Sequence, residues 1–185
     1  MEDDVSRGTD IDIMDLKKEI REIPDYPKAG INFKDITTLI KNKKAFSYAI
    51  GQVRNFFQNK GITKVVALEA RGFIFGGAIA NELNAGFVPV RKKNKLPYKT
   101  IQETYSLEYG EDIIEMHVDA LEEDDVVLIH DDLLATGGTA MAALRLVKKL
   151  GIKNICFSFI CDLEFIDTPD KRVINGYEKQ VLVKY

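Results

Sequence analysis

The chain has 185 residues, 26 Lys+Arg against 29 Asp+Glu and a formal net charge of -3, with 45% hydrophobic and 30% charged residues. That suits one α/β domain able to bury roughly 70% of its unfolded surface, and it argues against a nucleic-acid binder held by net positive charge. No apolar run approaches the ~20 residues of a membrane span. The acidic start MEDDVSRGTD is neither a secretory signal nor a transit peptide, so the expected location is cytoplasmic.

Residues 1–10 lack an apolar pattern and are expected to be a disordered tail, with 11–185 as one domain and 11–40 as a segment of its own within it. Ile13, Leu16, Ile20 and Ile23 fit one face of a helix over 11–23 that Pro24 ends. IPDYPKAG is turn chemistry leading into INFKDITTLI. Residues 45–60 read as a helix, with Phe46, Ala49, Ile50, Val53, Phe56 and Phe57 facing the core and Gly61 at its C-cap. VVALEA is a buried strand, and RGFIFGGAIANEL begins as a loop and continues as a helix. GFVPV is a strand, followed by the basic segment RKKNKLPYK. EDIIEMHVD is a strand by its β-branched content. VVLIH is uniformly apolar, as in a parallel strand covered on both faces. Residues 139–150 form a helix capped by Gly151, and ICFSFI is the next strand. Such alternation predicts a mostly parallel central sheet flanked by helices. Cys156 and Cys161, five apart on one strand, point to opposite faces, so both read as free, buried thiols. No His or Cys cluster has zinc spacing.

The chemistry gathers in VVLIHDDLLATGGT. Ligands of open parallel sheets bind beyond the carboxyl ends of the strands. There Ala135, Thr136, Gly137, Gly138 and Thr139 offer small residues, hydroxyls and a helix N-terminus to an anion. The segment is not a P-loop, since no lysine follows the glycines. Asp131 and Asp132 would repel a bare polyphosphate, but they suit neutral hydroxyls next to a phosphate, or a metal ion. A ribose 5-phosphate meets both demands. Arg71, directly after a buried strand, projects from the same sheet edge, and its planar fork suits a pyrophosphate. Arg91, Lys92, Lys93 and Lys95 are either a solvated basic face or anion ligands. The stretch 94–104, polar and broken by Pro97, reads as an active-site lid.

With those residues quoted, the chain resembles the type I phosphoribosyltransferases, and among them the adenine phosphoribosyltransferases. VVLIHDDLLATGGT is similar to their signature for phosphoribosyl pyrophosphate (PRPP), LEARGFIFG to their pyrophosphate loop, IPDYPKAGINFKDIT to their base-binding segment and VRKKNKLPYKTIQETYSLEYG to their catalytic loop. The resemblance implies a type I fold with a small N-terminal hood and a mobile catalytic loop. It further implies purine salvage: transfer of the phosphoribosyl group from PRPP to adenine, giving AMP and pyrophosphate, with Mg²⁺ carried by PRPP and touched at most by Asp131 and Asp132. On the same basis Asn32, Phe33 and Lys34 hold the adenine, largely through main-chain groups. Arg71 holds the pyrophosphate, joined by residues of the basic run, Arg91, Lys92 and Lys95, reaching it across the interface of a homodimer, and Glu108 is the proton-transfer group. No nucleic acid or membrane partner is implied. Asn32, Lys34, Tyr98 and His130 depart from the residues expected of the family at those places. The rival readings are a non-catalytic PRPP or purine sensor, and a phosphoribosyltransferase for xanthine or another purine.

Overall fold

The computed structural model describes residues 14–106 and 110–185. The expected tail, the start of the predicted first helix and Glu108 lie outside the described residues. Of the helix predicted over 11–23, what forms is a short 3-10 turn, Leu16–Glu19, capped by the Asp15 carboxylate, and then a strand, β1, Arg21–Ile23. β1 pairs antiparallel with β2, Phe33–Asp35, so the cross-strand ladder overrides the helical apolar period. These two strands form the hood, a separate sheet. The intervening turn has a cis Tyr26–Pro27 peptide. After the short α1, Thr37–Lys41, the Asn42 side chain caps α2, Lys43–Phe57.

The main sheet alternates with helices as its apolar strands require: β3 (Lys64–Leu68), α3 (Arg71–Glu82), β4 (Gly86–Lys92), β5 (Thr100–Ser106), β6 (Glu111–His117), β7 (Val126–Leu134), α4 (Gly138–Lys149) and β8 (Asn154–Asp162). Two elements that the sequence pattern did not announce complete it, α5 (Pro169–Asn175) and β9 (Glu178–Lys184). Among the described residues the strand order is β5-β6-β4-β3-β7-β8-β9. β4, β3, β7, β8 and β9 run parallel, and β6 is antiparallel to both β4 and β5. The order reverses between β3 and β7, because the chain leaves β3 toward β4 on one side and continues from β7 toward β8 on the other. Such a switch point opens a crevice at the carboxyl edge.

Alternating side chains feed two cores. Val65, Leu128 and Cys156 face α2 and α3, while Val66, Ile129 and Phe157 face α4 and α5. Three expectations change on packing. Phe56 is 40% exposed, its neighbour Phe57 taking the core position. Cys156 and Cys161 are both buried and free, but they lie in the same core cluster, because the alternation slips between Ile160 and Cys161. And the stretch read as a lid folds from Thr100 onward as β5, laid along α4. There the Glu103 carboxylate accepts from Arg145 at 3.1 Å and pairs with Lys149 at 2.6 Å. Among the described residues no helix is long and apolar enough to cross a membrane.

Candidate active site

β7 continues straight through the acid pair, so Asp131 and Asp132 stand on a strand rather than on the loop after it. Both reach the start of α3. Asp132 is buried, and Asp131 Oδ1 accepts a hydrogen bond from the Asp132 N–H at 2.9 Å. Burial, and then the neighbouring negative charge of Asp132, push the Asp131 carboxyl well above the usual carboxylate range. Burial also raises Asp132, opposed by the Arg71 guanidinium. Arg71 Nε lies 3.0 Å from Asp132 Oδ2, an ion pair whose N–H is not aimed at the oxygen, so Oδ2 has no aligned hydrogen-bond donor among the described residues. Two expensive carboxylates with spare acceptor capacity are what a ligand rich in hydroxyls, or a bound cation, would repay.

Two helices begin beside this pair. Among the described residues, four helices are longer than five residues. α2 and α5 start under side-chain caps from Asn42 and Thr168, whereas α3 and α4 start with none. Their free N–H groups and positive dipole ends are therefore available to anions. α3 begins with Arg71 itself, with no loop between. A Cβ on the next residue, Gly72, would sit 3.0 Å from Asp131 Oδ1 and 3.2 Å from the His130 carbonyl, so only glycine lets α3 come this close. Before α4, Ala135, Thr136, Gly137, Gly138, Thr139 and Asp131 line a cavity of about 70 Å³, room for a small anion and not for a base. Gly137 has φ +85, and a Cβ there would meet the Lys171 backbone nitrogen at 3.1 Å. A larger cavity of about 540 Å³ lies between Leu16, Tyr48 and β9, away from the acid pair and Arg71.

The loop 135–139 has a brace that the sequence pattern did not announce. Thr168 Oγ1 donates to the Thr136 carbonyl at 2.5 Å while capping α5 by accepting the Lys171 N–H at 3.1 Å. Buried Lys171 holds Asp162 at 2.6 Å and donates to the Leu163 carbonyl at 2.7 Å, tying α5 to the end of β8. A threonine before seven helical residues that begin with proline was the available signal: an N-cap followed by proline at N1.

The other expected residues gather around Arg71. Its guanidinium carbon lies 5.2 Å from the Phe33 ring centroid, which joins the hood to the acid pair. Asn32 Nδ2 and Lys34 Nζ both turn to Glu22, at 2.5 and 3.0 Å, so neither side chain is free for a base. The basic run divides. Arg91 and Lys95 converge on Glu69 at 3.2 and 3.3 Å, two residues before Arg71, and the Lys92 N–H also donates there. Burial would raise the Glu69 carboxyl, but these donors outweigh it and hold it below the usual range. Lys92 Nζ instead pairs with Asp112, whose hydrogen bond raises the lysine. The Glu69–Ala70 peptide is cis. Buried Glu115 accepts the N–H groups of Lys95 and Leu96, each at 3.0 Å, and so fixes the turn after β4. Tyr105, on β5, donates to Asp112 at 3.3 Å. His130, the departure just before the acid pair, is wholly buried beside Phe75, with neither ring nitrogen hydrogen-bonded among the described residues. Burial drives its pKa to about 3, weakly opposed by the Ser158 backbone.

An acid pair on β7 and an uncapped small-residue loop directly after it, at the switch point of such a sheet, are the arrangement expected of a phosphoribosyltransferase. The family model for the phosphoribosyl transferase domain accordingly matches residues 34–175. The chain is 51% identical over 172 residues to adenine phosphoribosyltransferase of Thermotoga sp. strain RQ2, covering 93% of this chain and 100% of that one. It superimposes on the crystal structure of the Rhodothermus marinus adenine phosphoribosyltransferase with a TM-score of 0.84 and 47% identity, over 92% of this chain and 96% of that one. The Giardia lamblia enzyme complexed with 9-deazaadenine matches with a TM-score of 0.86 and 36% identity, over 92% and 96%. The chain belongs to the adenine phosphoribosyltransferase family.

Proposed function

We propose that this protein transfers the 5-phosphoribosyl group of PRPP to adenine, forming AMP and pyrophosphate in purine salvage. The observation that carries the reading is the ion pair between Arg71 and Asp132 at the mouth of an uncapped phosphate loop, with the Phe33 ring against the same guanidinium. Groups suited to leaving group, sugar and base thus meet around one guanidinium, which supports the reading.

In the proposed reaction the bond from C1′ to the pyrophosphate oxygen breaks and a bond from C1′ to a ring nitrogen of adenine forms, with positive charge on the ribose ring between. The phosphate loop, Ala135 to Thr139, anchors the 5′-phosphate through backbone N–H groups at the start of α4. Asp131 and Asp132 accept from the ribose hydroxyls and, ionised, stabilise the developing positive charge. Arg71 takes the departing pyrophosphate, joined by Arg91 and Lys95 when they exchange Glu69 for it. Lys92 would first have to leave Asp112. Phe33 stacks on the purine, while the backbone of Asn32 and Lys34 reads its edge. The imidazole-ring proton that adenine loses as its bond to C1′ forms passes to Glu108, the proposed proton-transfer group. Mg²⁺, when bound with PRPP, neutralises the pyrophosphate charge. PRPP would hold most of the ion, and Asp131 and Asp132, with Asp132 Oδ2 lacking a hydrogen-bond partner among the described residues, are the protein groups that could touch it.

A homodimer is part of the proposal, as is a cytoplasmic location. Ile74, Phe87, Tyr98 and Val118 are exposed apolar side chains, and Phe87 shares a cavity with His117, against which Tyr98 packs. A partner covering them would remove that surface from water.

The test is pyrophosphate release from PRPP and Mg²⁺ with adenine, hypoxanthine, guanine, xanthine or orotate. Adenine alone should give rapid release. Preference for an oxopurine would overturn the base while sparing the PRPP site, and no release with any base would indicate a sensor.

A further inference from the structure

Among the described residues the hood is a two-stranded sheet with no ladder to the main sheet, yet the proposed base segment must be held to within a fraction of an ångström of the ribose. Arg71 against Phe33 fixes it on the side of the acid pair. On the other side stands Tyr185, just past the end of β9. Its backbone is pinned to β8, with its N–H donating to the Asp162 carbonyl at 3.0 Å and its carbonyl accepting the Glu164 N–H at 2.9 Å. The ring carries two ammonium groups. Lys34 Nζ lies 4.0 Å from its centroid and Lys17 Nζ 4.5 Å. Lys34 is 6% exposed, and among the described residues its other partner is Glu22, directly across the hood ladder. Lys17 also donates to the Lys184 carbonyl at 2.8 Å.

We propose that Tyr185 is a positioning residue for the base: its ring face, acting on the Lys34 ammonium, fastens the hood to the main sheet and sets the backbone of residues 32–34 against the acid pair. A buried ammonium on an aromatic face is a desolvated cation–π contact, the stronger kind. The lysine is committed to this contact and to Glu22, so its backbone is what remains for recognition. The hydroxyl contributes nothing to the hold. It is buried without a hydrogen-bond partner among the described residues, and burial raises its pKa, with Cys161 and Glu22 adding to the shift. The interaction therefore belongs to the ring, and phenylalanine should replace tyrosine.

The inference rests on the proposed base segment, so its experiment carries a control for that segment. Steady-state kinetics would be measured with PRPP and adenine varied separately. Tyr185→Leu should raise KM for adenine about tenfold, with kcat and KM for PRPP nearly unchanged. Tyr185→Phe should behave as the unaltered protein. Lys34→Met should match Tyr185→Leu, and the double variant should be no worse than either. Equal rises in both KM values would mean general loosening and overturn the proposal, as would failure of phenylalanine to restore the adenine KM. Should Tyr185→Leu not fold, an unchanged adenine KM in Lys34→Met overturns it. Phe33→Ala separates the two readings. If it raises the adenine KM while Tyr185→Leu and Lys34→Met do not, only the positioning role falls. If Phe33→Ala leaves that KM unchanged, the base segment falls and this inference with it.

Discussion

The two halves of the candidate site are held by different forces. The β7–α4 half is built from inside: Asp132 and His130 are buried, Gly137 is locked over Lys171, and Thr168 and Lys171 brace the loop from a buried ion pair. The hood and basic half is built from outside, by Lys34 on Glu22, Arg91 and Lys95 on Glu69, and Lys92 on Asp112, each pair with at least one partly exposed member. Buried contacts are screened little and have few alternatives, whereas exposed pairs exchange partners cheaply. The contrast suits a site where one half must keep a fixed phosphate and the other must admit a base and release a pyrophosphate.

The largest effect is expected where the halves meet. Asp132→Asn removes the charge facing Arg71, and kcat/KM for PRPP should fall by about two to three orders of magnitude with the circular dichroism spectrum retained. Unchanged kinetics would remove the acid pair from the ribose. Its neighbour reports the cost of building the rigid half. With the Asp131 carboxyl raised in the folded state, the unfolded chain gives up its proton first, so this group destabilises the fold as pH climbs above the ordinary carboxylate value. Asp131→Asn should therefore raise the ligand-free thermal midpoint at pH 7 by a few degrees while lowering activity.

Next in size is Gly137→Ala. It forces a side chain into left-handed backbone and against the Lys171 nitrogen. KM for PRPP should rise about tenfold and the thermal midpoint should drop, with KM for adenine nearly constant. An equal effect on adenine would show that the halves are not separable.

The smallest effect is a matter of pH. His130 is neutral in the fold, with a pKa of about 3 against 6.5 when free. Between these values the unfolded chain binds the extra proton, so stability falls as pH drops below 6.5. His130→Leu removes that loss. Its advantage in urea unfolding should grow by about 1 kcal/mol in the first pH unit below 6.5, and a constant advantage would refute the assignment.

The residues of the rigid half were legible because their signal is local. An apolar run, an acid pair and a small-residue loop in consecutive positions state both the strand and the anion site, and a helix must follow. α2, β3, β4 and the α4 region were equally plain from their period, although α2 ends at Phe57 with Gln58 as its C-cap and not at Gly61. The short hood strands were not, since residues 16–23 carry a helical period that the ladder with Phe33–Asp35 overrules. Nor was the fate of the lid, because whether Thr100–Ser106 is loop or strand depends on β6 and α4 lying beside it.

By itself the sequence determined the alternating fold, the phosphate loop, the acid pair and the arginine after β3, because each is written in neighbouring residues. Tertiary structure alone decided that Arg71 pairs with Asp132, that Glu69 collects Arg91 and Lys95, and that Thr168 and Tyr185 support the site from behind. Those contacts join residues 22 to 151 positions apart. No local pattern encodes such a distance; only the order of the strands brings the partners together.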